Sequence, residues 1–101
     1  MKVIWTELAK AQLKEAFQYY KEVAGNKVAH SIKAKIFEKA SNLSRYPEIG
    51  QGEQNELVAA LGYRYLVSGN YKIIYYIEKD EKNVWIAAVF DARQHPDALK
   101  V

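Results

Sequence analysis

Apolar positions recur at two different spacings along the chain, and the change from one to the other divides it. Ala9, Leu13, Ala16, Phe17 and Tyr20 fall three and four residues apart, with Lys10, Lys14, Glu15, Lys21 and Glu22 between them. That spacing predicts an amphipathic helix. Thr6 stands just before it as an N-cap, because its hydroxyl can accept from an otherwise unpaired helix amide, and Gly25-Asn26 ends it. Ala29, Ile32, Ile36, Ala40 and Leu43 continue the helical spacing, widened by Val28 and Phe37, and predict a second helix over residues 27–44. Each helix would be about 25 Å long, and the short connection makes the two an antiparallel hairpin. Tyr46-Pro47-Glu48-Ile49-Gly50 stops the second helix, since proline lacks an amide and disfavours helical geometry before it. Residues 51–56 then read as an exposed loop.

From residue 61 the period becomes two. Residues 61–67 and 71–77 flank Ser68-Gly69-Asn70, whose Gly and Asn suit a tight hairpin turn. After the polar stretch 78–83, residues 84–91 form a third strand of a meander, and residues 2–5 are a short strand of their own. Alternation sends Tyr63, Tyr65 and Val67 to one face and Arg64 and Leu66 to the other. Tyr71, Ile73, Tyr75 and Ile77 oppose Lys72, Ile74 and Tyr76, and Val84, Ile86, Ala88 and Phe90 oppose Trp85, Ala87, Val89 and Asp91. The expected fold is α+β: an N-terminal strand, then a helical hairpin packed on one face of a mainly antiparallel four-stranded sheet. The other face keeps Leu, Tyr and Trp with two cations, Arg64 and Lys72, among them. Apolar surface of that extent marks an interaction site.

Composition narrows the classes. A chain of 101 residues, half of them hydrophobic, fits one domain over residues 1–101 with a single core. No stretch approaches the ~20 apolar residues of a membrane-spanning helix, and the N-terminus lacks a signal-peptide core, so a cytoplasmic protein without membrane contact is expected. Without cysteine there is no disulfide, thiol nucleophile or thiolate metal site. His30 and His95 alone cannot build a zinc centre, and neither metal nor cofactor is expected. The net charge of +3 is unevenly spread. Lys27, Lys33, Lys35, Lys39 and Arg45 face only Glu38 across the second helix, whereas Glu48, Glu53 and Glu56 follow in the next loop. Such a basic surface attracts nucleic acid or an acidic protein segment, or simply solvates the outer face of the helix.

The order strand, helix, helix, three-stranded meander resembles the RelE/ParE superfamily of bacterial type II toxins. The residues carrying the resemblance are Trp5-Thr6, the turn 46–50, Gly62-Tyr63-Arg64, Val67-Ser68-Gly69-Asn70-Tyr71-Lys72-Ile73-Ile74-Tyr75, and the run from Val89 to Pro96. It implies a growth-arresting toxin, of the kind found in plasmid stabilisation systems, neutralised in a hetero-oligomer with a cognate antitoxin. One branch of the superfamily cleaves messenger RNA on the ribosome, driving the 2′-hydroxyl onto the adjacent phosphate. That reaction needs a proton acceptor, a proton donor and positive charge. By resemblance Lys72 holds the place of a phosphate-binding arginine, Arg93 lies near a second, and His95 is the group with a pKa near neutrality. Tyr63 and Tyr65 stand where such enzymes carry cations, and no tyrosine follows Arg93. The ParE branch is associated with inhibition of DNA gyrase, and the pattern Arg64, Gly69, Tyr71 is closer to it. Arg64, Lys72, Tyr76, Arg93 and Gln94 are then the residues expected to contact target or antitoxin. A third reading is a non-toxic antitoxin-binding module.

The residues taken singly leave alternatives. Arg64 either meets a partner or pairs with Asp91 across the sheet. Lys72 either binds or snorkels past its apolar neighbours, and the tyrosines either stack on bases or form a protein interface.

Overall fold

The computed structural model describes residues 1–52 and 60–93. The first strand, β1 (Lys2–Trp5), leads through Thr6 into α1 (Glu7–Ala24). Thr6 Oγ1 accepts from the Ala9 amide at 3.2 Å and donates to the Ile86 carbonyl at 2.8 Å. One side chain thus caps the helix and ties its start to a strand distant in sequence. Gly25, at φ +93°, makes the one-residue connection to α2 (Asn26–Ser41). The expected last turn of α2 tightens into a 3₁₀ turn, Asn42–Ser44, a common way for an α-helix to end.

Four further strands follow: β2 (Gln51–Gly52), β3 (Arg64–Ser68), β4 (Tyr71–Glu78) and β5 (Asn83–Asp91). The sheet order is β1-β5-β4-β3-β2, with β1 parallel to β5 and the other pairs antiparallel. The sheet therefore has five strands instead of four. Gln51 and Gly52, expected in a loop, pair with Tyr65 and Arg64 and cover part of the outer edge of β3. Edges of this kind are otherwise open to unwanted pairing. The rest of that expected loop lies outside the described residues.

The main core joins Ala9, Leu13 and Ala16 of α1 and Ile36 and Ala40 of α2 to Leu43 and to the sheet residues Tyr71, Ile73, Tyr75, Val84, Ile86 and Val89. Each large aliphatic buried here contributes roughly 1.5–3 kcal/mol. The helices therefore clad one face of the sheet, as the apolar spacing implies.

Strict alternation holds in β4 and breaks in β5. Ile74 pairs with Ala88 but Tyr75 pairs with Ile86, so Ala87 is an extra residue, a β-bulge. Beyond it every side chain changes face. Val89 joins Val84 and Ile86 under the helices, while Ala88 and Phe90 join Trp85 on the far side. This corrects the expected grouping of Ala88 and Phe90 with Val84. α1 holds the irregular backbone in place: Thr6 Oγ1 also lies 3.2 Å from the Ala87 carbonyl, and Gln12 Oε1 accepts from the Val89 amide at 2.7 Å. Pairing with β1 ends at Ile86, so the Gln12 carboxamide stands in for the missing strand.

Candidate functional site

The face turned away from α1 and α2 is built from β3, β4 and β5. Ile74 and Ala88 are buried there by the sheet's own side chains, with Tyr63, Tyr65, Tyr76 and Phe90 packed around them. Tyr63 meets Tyr76 edge to face at 5.3 Å between centroids, and Tyr76 stacks on its cross-strand partner Trp85 at 6.4 Å. The Trp85 indole donates to Glu78 Oε1 at 3.3 Å, and the Asn83 amide donates to the same oxygen at 2.9 Å. Lys72 Nζ sits 4.2 Å from the centroid of the Tyr65 ring, a cation–π contact. Burial, followed by the neighbouring Tyr63 and Glu78, pushes the Tyr76 hydroxyl above its usual range. The result is a tiled aromatic surface that includes the Lys72 ammonium. Rigid rings with polar tips suit macromolecular contact, because little side-chain entropy is lost on binding.

Arg64 is on the other side of the sheet. The two-residue turn Gly69-Asn70 pairs Ser68 with Tyr71, and hence Arg64 with Tyr75. Its guanidinium donates to the Gly50 carbonyl at 2.9 Å and to that of Glu48 at 3.4 Å. Tyr75, fully buried, donates its hydroxyl to the Pro47 carbonyl and accepts from the Gly50 amide, both at 2.8 Å. Together they clamp the turn 46–50 against the sheet. The expected pairing of Arg64 with Asp91 is not formed.

Asp91 is instead held by Arg93. Arg93 Nη2 lies 2.7 Å from Oδ2, its Nε 3.0 Å from Oδ1, and its backbone amide 2.9 Å from Oδ1. The same guanidinium reaches the Tyr20 hydroxyl of α1 at 3.3 Å. These hydrogen bonds keep the Asp91 carboxyl below the usual carboxylate range. Beneath them the Tyr71 hydroxyl is pushed up to about 12, first by burial and then by Tyr20 and Asp91. The expected site residues are therefore dispersed. Lys72 and Tyr76 share the face turned away from α1 and α2, Arg93 is engaged on the side of those helices, and Arg64 serves the turn, while Gln94 and His95 lie outside the described residues.

Two features had little signal in the sequence. One is the aromatic tiling, which depends on strand register. The other is a groove of about 530 Å³ between the helices, lined by Trp5, Leu13, Phe17 and Phe37 with Lys10, Lys14 and Lys33 among its walls. Phe37 stacks on Trp5 at 6.0 Å and remains 54% exposed. A periodicity argument assigns such a residue to the core. Among the described residues no group of three or more potential metal ligands occurs, and no helix is long and apolar enough to cross a membrane.

The family model described as the ParE toxin of the type II toxin-antitoxin system parDE matches residues 3–96. Among solved structures, the fold is similar to a chain of the chromosomal ParDE toxin-antitoxin system from P. aeruginosa. The TM-score is 0.75 at 22% identity, over 90% of this chain and 95% of that one. It is also similar to a chain of the toxin-antitoxin complex RelBE2 from Mycobacterium tuberculosis, with a TM-score of 0.65 and 26% identity over 89% of this chain and 95% of that one. No curated protein sequence is a significant match.

Proposed function

The chain belongs to the ParE toxin family of type II toxin-antitoxin systems, and we propose that it arrests growth in the cytoplasm by engaging DNA gyrase through the aromatic face turned away from α1 and α2. A cognate antitoxin holds it inactive. The observation carrying this reading is the separation of the cations. Phosphodiester cleavage requires acid, base and positive charge to converge on one phosphate. Lys72 lies over Tyr65 on one side of the sheet, whereas the Arg93 guanidinium is held by Asp91 and Tyr20 on the other. Tyr63 and Tyr65, occupying positions where the superfamily's ribonucleases carry cations, contribute rings to the aromatic surface. Such a surface is suited to binding a protein and needs no proton relay.

The antitoxin is inferred from the neighbours, which are toxin-antitoxin complexes. The apolar, lysine-bordered groove between α1 and α2 suits an amphipathic acidic segment of such a partner. The test uses purified chain in two assays, gyrase supercoiling and messenger RNA cleavage on translating ribosomes. The expected result is loss of supercoiling that Trp85→Ala relieves and that the product of the neighbouring small reading frame reverses. Cleavage abolished by Arg93→Ala and His95→Ala, with supercoiling untouched, would overturn the reading in favour of an endoribonuclease. Unaffected growth on expression of soluble protein would leave a non-toxic antitoxin-binding module.

A further inference from the structure

The basic residues of α2 are split between its two flanks. Lys33 leans over the Phe17 ring at 5.4 Å, on the side of α1. Lys35 and Lys39 lie on the opposite flank, beside the β3–β4 turn. Both line a crevice of about 320 Å³ with Glu38, Asn42, Ser68 and Gly69. Lys35 also borders a smaller crevice of about 150 Å³ with Tyr20, Asn70 and Tyr71. Both lysines are exposed, and neither has an ion-pair partner among the described residues.

From this juxtaposition we propose that Lys35 and Lys39, with Ser68 and the backbone of the Gly69-Asn70 turn, form a contact strip for the phosphate backbone of duplex DNA. The inference goes beyond the gyrase reading, since it concerns the nucleic acid that a topoisomerase holds. Ammonium groups, hydroxyls, carboxamides and backbone amides are the donors that position proteins on phosphates without reading sequence. The larger crevice has no aromatic or large aliphatic side chain in its lining, so it offers no pocket for the buried anchor residue by which a protein segment docks. Phosphates need no such anchor. Four residues of helix separate the two lysines by ~6 Å along its axis, which lets them reach different phosphates of one strand. Glu38 in the same lining reduces the local charge, so the contact is weak and salt-dependent.

Two neutralised phosphates correspond to a slope of about −1.8 in log affinity against log salt, or roughly a twelvefold loss between 50 and 200 mM. The experiment measures fluorescence anisotropy of a labelled 25-base-pair duplex against the full chain across that salt range. Lys35→Gln/Lys39→Gln is compared with Lys79→Gln/Lys82→Gln, an equal charge change at the β4–β5 turn, ~26 Å away along β4. The first pair is expected to flatten the slope by about 1.8 and the second to leave it close to the parent's. Equal flattening by both pairs would overturn the strip, because net charge alone would then account for binding. So would displacement of the duplex by polyglutamate beyond the effect of matched ionic strength, which would make the surface one for acidic protein. Circular dichroism verifies that each variant is folded. Gyrase takes no part in the assay, so failure here leaves the gyrase reading intact, and failure in the supercoiling assay leaves the strip intact.

Discussion

Replacing Tyr75 by phenylalanine removes one oxygen from a fully buried ring and leaves its volume nearly unchanged. That oxygen makes two hydrogen bonds of 2.8 Å, one to the Pro47 carbonyl and one from the Gly50 amide. Gly50 is itself buried, so its amide would lose its partner without gaining water, whereas the partly buried Pro47 carbonyl can be rehydrated. An unsatisfied buried donor costs about 1–3 kcal/mol and a re-solvated acceptor less, for a sum of about 2–3 kcal/mol. With an unfolding entropy near 2.1 cal/mol/K per residue, a chain of this length should melt ~10–15 °C lower.

Gly50→Ala probes the same contact from the other side. A Cβ there would come within 2.6 Å of Tyr75 Cε1 and 2.7 Å of the Tyr65 carbonyl, besides meeting the tyrosine hydroxyl. Overpacking of this kind costs about 1–3 kcal/mol. In the double variant the clash with the hydroxyl is gone, so the two penalties should overlap by roughly 1 kcal/mol. Thermal melts with urea titrations give both singles and the double. A Tyr75→Phe melting temperature within about 2 °C of the parent, or strictly additive penalties, would refute the clamp.

Arg64→Met should cost about 1–2 kcal/mol through the lost carbonyl contacts and leave supercoiling inhibition per folded molecule unchanged; a selective loss of inhibition would make Arg64 a target contact. Gln12→Leu should strand the Val89 amide and cost about 1–3 kcal/mol, with faster hydrogen exchange at Val89 as its signature. Tyr71 gives a pH dependence. Its folded pKa, about 12, lies above the ordinary 10.0, so the unfolded chain loses its proton first as pH rises. Stability is therefore fully present below pH 10 and falls towards pH 12 by up to about 2–3 kcal/mol. Melts at pH 9 and 11 should show that fall in the parent and a smaller one in Tyr71→Phe.

Much of the architecture was legible because its signals are local. Thr6 and Gly25 mark the ends of α1 by their own backbone and side-chain chemistry, and the helical stripes identify the residues that meet the sheet. Even the side taken by Arg64 follows from a local feature, since a two-residue turn at Gly69-Asn70 fixes which residue lies opposite Tyr75. Alternation within β3 and β4, read without that register, put Arg64 and Lys72 on the same bare face. The strand at Gln51–Gly52 left no pattern, because two residues are too few to show a period.

The bulge at Ala87 belongs to another category, and it bears on function more than any element of the regular fold. Ala87-Ala88 carries no local signal for an irregular backbone. The groups that accommodate it, the Thr6 hydroxyl and the Gln12 carboxamide, come from the opposite end of the chain. Were β5 a regular strand of the same sequence, the register set by Tyr75 and Ile86 would continue and place Asp91 opposite Asn70, on the face of Lys72. With the bulge, Asp91 turns towards α1 and carries the guanidinium to Tyr20. The side of the sheet on which Asp91 holds Arg93 is thus set by a single backbone irregularity, kept in place by contacts that no reading of β5 alone could supply.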